Sequence, residues 1–271
     1  MKNITGKLAF VTGAGSGIGR ATAQALAAAG VRVAVTDISF ETAEQTAQSI
    51  SGTGQEARAF ALDVADAEQV TEVARLVQGA MGAPSILVNN AGIAVGGNFL
   101  DTSADSWERI VSINLMGVVH CSRAFIPGMV ASGQPGHVVN IASMLGYTAA
   151  RGVSAYCATK YGVVGFSECL RAELAGQHIG VSAICPGVVT TNIISSGVLE
   201  SKDEDVEEKR RVVQAFYEKR NYPPERVAQA VIKAIRRNRA MVPVTPEAWL
   251  SFYLKRLSPG LSRLIALREL A

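Results

Sequence analysis

The chain has 271 residues, 48% of them apolar, and a formal net charge of +3. That length fits one large α/β domain better than two small ones, and the apolar share supplies a substantial core. A small charge with no basic block along the main body argues against nucleic acid as the main partner, and no apolar run reaches the roughly 18 residues that would predict a membrane span.

Met1 to Lys7 lacks the long apolar stretch of a secretory signal. The first strand is predicted at Leu8–Thr12, with a helix over Ile18–Ala29. Further strands follow at Arg32–Thr36, Ala57–Ala61, Ile86–Asn89, Gly136–Ile141, Gly180–Cys185 and Met241–Val244. Between them lie helices at Phe40–Ser51, Ala67–Gly79, Ala104–Ala131, Ser154–Gly176 and Pro224–Arg236. Strand and helix in alternation mean parallel strands with right-handed crossovers. The strands are apolar throughout, as when helices cover both faces. The expected fold is therefore a doubly wound, Rossmann-type parallel sheet of about seven strands in a single domain over 1–271. Two segments break the rhythm: 190–222, whose middle is charged (Lys202–Arg211), and a tail over 246–271. The cysteines Cys121, Cys157, Cys169 and Cys185 show no CxxC spacing and read as free buried thiols of a reducing cytoplasm. His120, His137 and His178 lack ligand spacing and read as structural or surface residues, so no metal is predicted.

The first strand runs into Thr12-Gly-Ala-Gly-Ser-Gly-Ile-Gly19. Glycines there let the backbone turn sharply and approach a pyrophosphate, and the helix start offers free N–H groups and a positive dipole end. Gly13, Gly17 and Gly19 carry a GxxxGxG spacing, with Ser16 and Ile18 between them. Strand two ends at Asp37, which can accept hydrogen bonds from both adenosine-ribose hydroxyls and would repel a 2′-phosphate. That favours NAD over NADP, with Arg20 and Arg32 the nearest cations that could oppose it.

With these residues in place, the sequence resembles the short-chain dehydrogenase/reductase family over roughly Lys7 to Val244. Thr12–Gly19 matches its TGxxxGIG motif, and Asp63 in Leu-Asp-Val64 matches an Asp that binds the adenine edge. Asn89-Asn90-Ala91-Gly92 matches NNAG, which stabilises the sheet beside the cofactor. Pro186-Gly187-Val-Val189-Thr-Thr191 matches PGxVxT at the cofactor. The catalytic Asn, Ser, Tyr and Lys fall at Asn114, Ser143, Tyr156 and Lys160. The resemblance implies that Tyr156 is the acid/base, Lys160 holds the nicotinamide ribose, Ser143 binds the substrate oxygen and Asn114 positions a relay water. Lys160 lies four residues along from Tyr156, on one helix face, where an ammonium favours the phenolate and should lower the tyrosine pKa. Ala142 stands where many relatives have a second Ser, and the tail departs from the usual short C-terminal close.

An NAD(H)-linked alcohol/carbonyl oxidoreductase follows from these matches. The segment 190–222 is expected to be a substrate lid, mobile without substrate, with Ile193, Ile194, Val198, Leu199, Val212, Val213, Phe216 and Tyr217 as its apolar residues. Met144, Leu145, Val153 and a small apolar loop from Ala94 to Phe99 suggest a lipophilic substrate of steroid, retinoid or long-chain type. A 3-oxoacyl thioester reductase and a non-catalytic NAD sensor are the alternatives; Asp37 argues against the first, the intact catalytic set against the second. A homodimer or homotetramer is expected through the helices carrying Asn114 and Tyr156. In the tail, Trp249, Leu250, Tyr253, Leu254 and Leu257 form an apolar stripe, Pro259-Gly260 breaks it, and Leu261, Leu264, Ile265 and Leu267 follow. Lys255, Arg256, Arg263 and Arg268 surround these stripes. Packing over the chain's own cleft or a partner subunit is the expectation, with contact to an anionic membrane surface as the alternative.

Overall fold

Strands that read as unbroken apolar runs need cover on both faces, and the central ones receive it, while the edge strand Ala57–Ala61 stays partly exposed. The structure, a computed structural model, describes residues 1–191, 193, 197–201 and 205–267, with Lys209 described as backbone alone. In chain order come β1 (Leu8–Val11), α1 (Gly17–Ala28), β2 (Arg32–Asp37), α2 (Phe40–Ser51), β3 (Ala57–Ala61), α3 (Ala67–Met81) and β4 (Ile86–Asn89). A short β5 (Val95–Gly96) precedes α4 (Ala104–Val111), a π-turn (Ser112–Met116) and α5 (Gly117–Ala131). Next are β6 (Gly136–Ile141), α6 (Ser154–Glu173) and β7 (Ile179–Cys185). The last stretch holds β8 (Val198–Leu199), α7 (Val206–Arg220), α8 (Pro224–Arg237), β9 (Met241–Pro243), α9 (Pro246–Leu257) and α10 (Pro259–Ala266).

The seven-stranded sheet has the order β3-β2-β1-β4-β6-β7-β9, and every pairing in it is parallel. Connections run one way from β1 and the other way from β4. A crevice therefore opens at the carboxyl ends of β1 and β4, the usual place for a ligand in such sheets. One core layer joins Val11, Val33 and Val88 to Leu26 of α1 and Val227, Val231 and Ile235 of α8. The opposite layer joins Phe10, Leu87 and Val138 to Val77 of α3, Phe125 of α5 and Leu170 of α6.

Several helices start where the sequence supplies a cap. Asp66 accepts from the N–H groups of Glu68 (2.9 Å) and Gln69 (3.0 Å), and Ser103 from Ser106 (3.2 Å). Each such cap is worth about 1 kcal/mol. The predicted uninterrupted helix Ala104–Ala131 instead carries the π-turn, centred on Asn114. By length and composition it could cross a membrane, yet Val118, Cys121, Phe125 and Met129 are buried against the sheet layers. It behaves as a core helix.

The predicted all-buried thiols need correction, because Cys169 is exposed while Cys121, Cys157 and Cys185 are buried; all four are free. Buried His137 pairs its Nε2 with Ser182 Oγ at 2.8 Å. Burial, then the N-terminal charge and Arg171, pull its pKa down to about 3. His120 meets the Val64 carbonyl at 3.0 Å, and His178 sits in a left-handed turn.

The tail forms two helices broken at Pro259, and it packs in part. The Tyr147 hydroxyl donates to the Ala248 carbonyl at 2.7 Å, and Phe252 meets the Tyr147 ring edge-on at 5.5 Å. The expected stripe does not supply this contact: Leu250, Tyr253 and Leu257 face outward. The packed side is that of Ala248 and Phe252, one residue out of phase. Arg268 lies outside the described residues.

Candidate active site

The turn after β1 is built from backbone groups. Gly13 and Gly17 have φ of 60° and 51°, a left-handed conformation that costs glycine little. A Cβ on Gly13 would stand 2.8 Å from Ala91 Cα. A Cβ on Gly19 would drive into the Gly13 carbonyl. Thr12 Oγ1 accepts from the N–H groups of Asn90 and Ala91, both at 3.0 Å. The Asn90 amide donates to the carbonyls of Thr12 and Gly13, also at 3.0 Å. The NNAG segment thus fastens the glycine turn to the end of β4. Buried Asn89 reaches Asn140 Oδ1 on β6 at 2.8 Å. Ser16 precedes α1 without capping it by its side chain, so the first N–H groups of α1 are left for an anion. Ile18 packs partly against the core.

Asp37 ends β2 beside this turn. Its Oδ2 accepts from the Gly15 N–H at 2.9 Å and its Oδ1 from the Ser39 N–H at 3.1 Å. A Cβ on Gly15 would press on Asp37 Oδ2 and Thr42, so Gly15 is as constrained as the three glycines of the spacing, a point the spacing alone does not reveal. Arg20 is tied to the Gly15 carbonyl and to Thr46 Oγ1 at 3.2 Å. Arg32 opens β2 at the end opposite Asp37, where it donates to the Met81 carbonyl at 3.0 Å. Asp63 accepts from the Ala65 N–H at 2.9 Å. The Val64 side chain is buried, against the position where Gly117 lacks a Cβ, so only its backbone remains for a ligand.

The catalytic candidates converge from four segments. Asn114 occupies the π-turn and is buried. Its Oδ1 accepts from the Ile93 N–H at 2.8 Å, and its Nδ2 donates to the Ile93 carbonyl at 3.0 Å. The missing side chain of Gly92 leaves room, since a Cβ there would lie 3.1 Å from Asn114 Oδ1 and 3.7 Å from Lys160 Nζ. Ser143 follows β6 and accepts from the Leu145 N–H at 3.1 Å, close enough to the Tyr156 hydroxyl to favour its ionised form. Lys160 donates to the Ile141 carbonyl at 3.0 Å. Its Nζ lies 5.6 Å from the centre of the Tyr156 ring.

The expected electrostatic pairing of Lys160 with Tyr156 is corrected here. Burial, then the neighbouring Tyr217, raise the Tyr156 hydroxyl well above its ordinary range, and Ser143 only opposes this. Burial also pulls Lys160 down to about 8. The ammonium is aimed at a carbonyl and does not touch the hydroxyl, so desolvation outweighs its attraction. Cys185 adjoins Lys160, and its thiol is pushed up to about 12 by burial. It serves as a neutral wall.

The Pro186–Thr191 loop closes the far side. The Met144 N–H donates to the Pro186 carbonyl at 2.8 Å, which links the loop to the Ser143 turn. Val189 is buried, and Thr191 stands opposite Gly17, 3.3 Å from where its Cβ would be. Gly187 leaves space for Thr245 and Glu247. The Val188 N–H donates to Glu247 Oε1 at 3.0 Å.

The expected lid contains a helix and a short strand among its described residues. Its second half is α7, capped by Asp205. The Thr190 N–H donates to the Tyr222 carbonyl at 2.9 Å and closes the loop at its base. Parallel pairing of β5 with β8 lays the segment along the Ala94–Phe99 loop. Glu200 accepts from the Ser103 N–H (2.7 Å) and the Ser106 hydroxyl (2.8 Å) at the start of α4. Arg220, at the end of α7, donates to Glu247 Oε2 at 2.9 Å. Tyr217 faces inward, while Val212 and Phe216 are exposed. Ile194 and Lys202–Glu204 lie outside the described residues. Glu200, Arg220 and Glu247 were missed from the sequence because charged residues in variable segments carry no spacing signal. Tyr156, Ile93, Trp107 and Val198 all pack against the buried cluster of Val95, Ile110 and Ala155, so the cleft is apolar beside the reacting groups.

Comparison with known proteins agrees with this geometry. Residues 7–200 match the family model described as short chain dehydrogenase. Oxidoreductase EphD of Mycobacterium tuberculosis is 41% identical over 255 residues, 93% of this chain, but the chain spans only 43% of that relative's length. D-threitol dehydrogenase of Mycolicibacterium smegmatis is 41% identical over 190 residues, covering 70% of this chain and 73% of the relative. A short chain dehydrogenase/reductase from Burkholderia phymatum, solved in complex with NAD, superposes with a TM-score of 0.88 at 29% identity, covering 96% of each chain.

Proposed function

Because the chain belongs to the short-chain dehydrogenase family, we propose that it is an NAD(H)-dependent oxidoreductase that interconverts an alcohol and its carbonyl on a lipophilic substrate. One observation carries the reading: Ser143, Tyr156 and Lys160 converge beside an uncapped helix start and a glycine turn packed so closely on the segment after β4 that a Cβ on Gly13 or Gly19 would strike main chain. The residues fit a nicotinamide dinucleotide. The start of α1 with Gly13, Ser16, Gly17 and Ile18 receives the pyrophosphate. Asp37 takes the adenosine ribose and Asp63 the adenine edge. Lys160 takes the other ribose, and Gly187 and Thr191 flank the nicotinamide. When bound, the cofactor supplies or accepts a hydride at its C4.

The chain's residues handle the proton. In the reducing direction Tyr156 begins protonated, as its burial favours, and gives its proton to the substrate oxygen. Ser143 donates a second hydrogen bond to that oxygen and steadies the charge that develops there. Lys160 stands within reach to restore the proton, with Asn114 holding the Ile93 backbone beside it. In the oxidising direction the transfers reverse. The lid excludes water, and Ile93, Trp107, Val198, Met144 and Leu145 offer the substrate an apolar wall.

Asp37 supports NAD over NADP, since a 2′-phosphate would meet a carboxylate, and the nearby Arg20 is already engaged. Partly exposed Met116 and Tyr161, beside α5 and on α6, support a homo-oligomer through those helices. Four unpaired cysteines suit a cytoplasmic setting. Spectrophotometric turnover with NAD+ and NADPH against alcohols, ketones and 3-oxoacyl thioesters tests the whole reading. Turnover of apolar secondary alcohols with NAD+ is expected. Preference for NADPH with 3-oxoacyl thioesters would replace the reading, and no turnover with any pair would favour a sensor.

A further inference from the structure

Helices α9 and α10 hold one face to the protein and turn another away from it. Leu250 and Leu257 on α9 are 69% and 82% exposed. Tyr253 beside them and Leu261, Leu264 and Leu267 after the Pro259 break are exposed as well. So much contiguous apolar surface implies an occupant. The charge around it has one sign. From Ala248 to Leu267 the chain contains Lys255, Arg256 and Arg263 and no Asp or Glu. Glu247, just before this stretch, is already committed to Arg220 and Val188, and Glu269, just after it, lies outside the described residues.

We propose that this face docks on an anionic lipid surface. Exposed Arg256 and Arg263 beside this apolar face suit a negatively charged interface, where the leucines enter the acyl boundary and the cations meet the headgroups. Helices of 12 and 8 residues are too short to span a bilayer and would lie on it. A second copy of the chain is a poorer fit. A two-fold contact sets the same patch against itself, and among its described residues this patch has no acid to pair with its own cations. The face is tied to the cleft: α9 begins at Glu247, which holds Arg220 at the end of the lid, and the Ala248 carbonyl holds Tyr147, in the segment that follows Ser143. Docking therefore sets the lid's end at the interface. The inference rests on the tail alone and is independent of the substrate reading.

Co-sedimentation of the full chain with phosphatidylglycerol–phosphatidylcholine vesicles, against phosphatidylcholine alone, tests it. Binding to the anionic vesicles at low salt and release at high salt are expected. Arg256→Gln with Arg263→Gln should weaken partition roughly twentyfold or more, at about fivefold for each charge lost. Leu257→Asp with Leu264→Asp should abolish binding, with the melting temperature and NAD binding kept, because both side chains are exposed. Failure of the wild type to bind anionic vesicles at low salt would overturn the proposal. So would binding by the charge variant equal to wild type. A fall in particle mass with the leucine variant would assign the face to a second copy instead. NAD titration of each variant reports separately on the nucleotide site.

Discussion

The two sides of the crevice are held together by different means. On the nucleotide side, from β1 to β4, side chains bind backbone groups of the glycine turn and of the segment after β4. Gly15 bonds Asp37, Thr12 bonds the two N–H groups that follow β4, and Asn90 bonds two carbonyls of the turn. On the substrate side, side chains from distant segments carry the assembly. Glu200 meets Ser103 and Ser106, Glu247 meets Arg220 and Val188, and Tyr147 meets Ala248. The first side can tolerate almost no change of backbone, because a Cβ on Gly13 or Gly19 strikes fixed main chain. The second can vary residue by residue, and it is where substrate choice resides.

The sharpest break in this comparison is Tyr156→Phe, which should damage one side and spare the other. Deleting the only proposed proton donor costs the roughly 10²- to 10⁴-fold typical of a general acid–base group. NAD binding, followed by fluorescence quenching, should hold. Near-normal turnover would remove Tyr156 from the mechanism.

Lys160 belongs to both sides, and pH separates its contributions. Its pKa falls from 10.5 to about 8 on burial. The folded state therefore binds fewer protons than the unfolded chain between these values. The cost of burying the charged lysine is full below about pH 8 and is relieved as pH rises toward 10.5. Without cofactor, wild type should gain stability relative to Lys160→Met across that window, on the order of 3 kcal/mol at most. Urea unfolding of both proteins at pH 7.5 and pH 10 measures the difference. A gap that stays constant, or moves the other way, would show that Lys160 is not a buried, depressed group.

The same contrast explains what could be read from the chain. All seven strands of the main sheet were legible, because buried parallel strands are continuous apolar runs and the glycine turn marks the first crossover. Asn114, Ser143, Tyr156 and Lys160 were legible as a set through their order and spacing. The π-turn under Asn114 was not, since Ser-Ile-Asn-Leu-Met has helical periodicity and the bulge arises from the Asn side chain bonding Ile93. The β5–β8 pair is two residues per strand and leaves no periodic trace. The tyrosine's raised pKa could not be read either, because it depends on how deeply the hydroxyl is buried and on where Lys160 points.

Asp37 tests the nucleotide side at a smaller scale. Asp37→Ala should weaken NAD(H) binding roughly tenfold or more, the worth of a hydrogen bond to a charged group, while NADP(H) binding improves relative to it. Asp37→Asn is the control, because it keeps an acceptor for the Gly15 N–H and loses only the charge. Relaxed preference in both variants assigns the effect to charge; in the alanine variant alone, to the shape of the turn. A wild type that uses NADP(H) better than NAD(H) would overturn the assignment of Asp37.

The gentlest change falls on the substrate side, at Glu247. Burial opposes its ionisation, but the Arg220 hydrogen bond and the Val188 N–H outweigh it, and its pKa is lowered. Glu247→Gln keeps an oxygen for Val188 and removes the charge that holds Arg220. A partly exposed ion pair of this kind contributes up to about 1 kcal/mol, so opening of the lid's end should become a few-fold more frequent. Amides of Val206–Arg220 should then exchange faster in the variant, while those of Gly17–Ala28 are unchanged. In wild type, cofactor and substrate together should slow exchange in α7, as expected of a lid that closes over the reaction. kcat should shift a few-fold in the variant, with affinity for NAD alone unaltered, because the contact reaches the cofactor only through the Pro186–Thr191 loop. Equal protection of α7 with and without ligands would sink the lid. Slower exchange in α1 of the variant, with α7 unmoved, would show that the two sides of the crevice are coupled by some other route than Glu247.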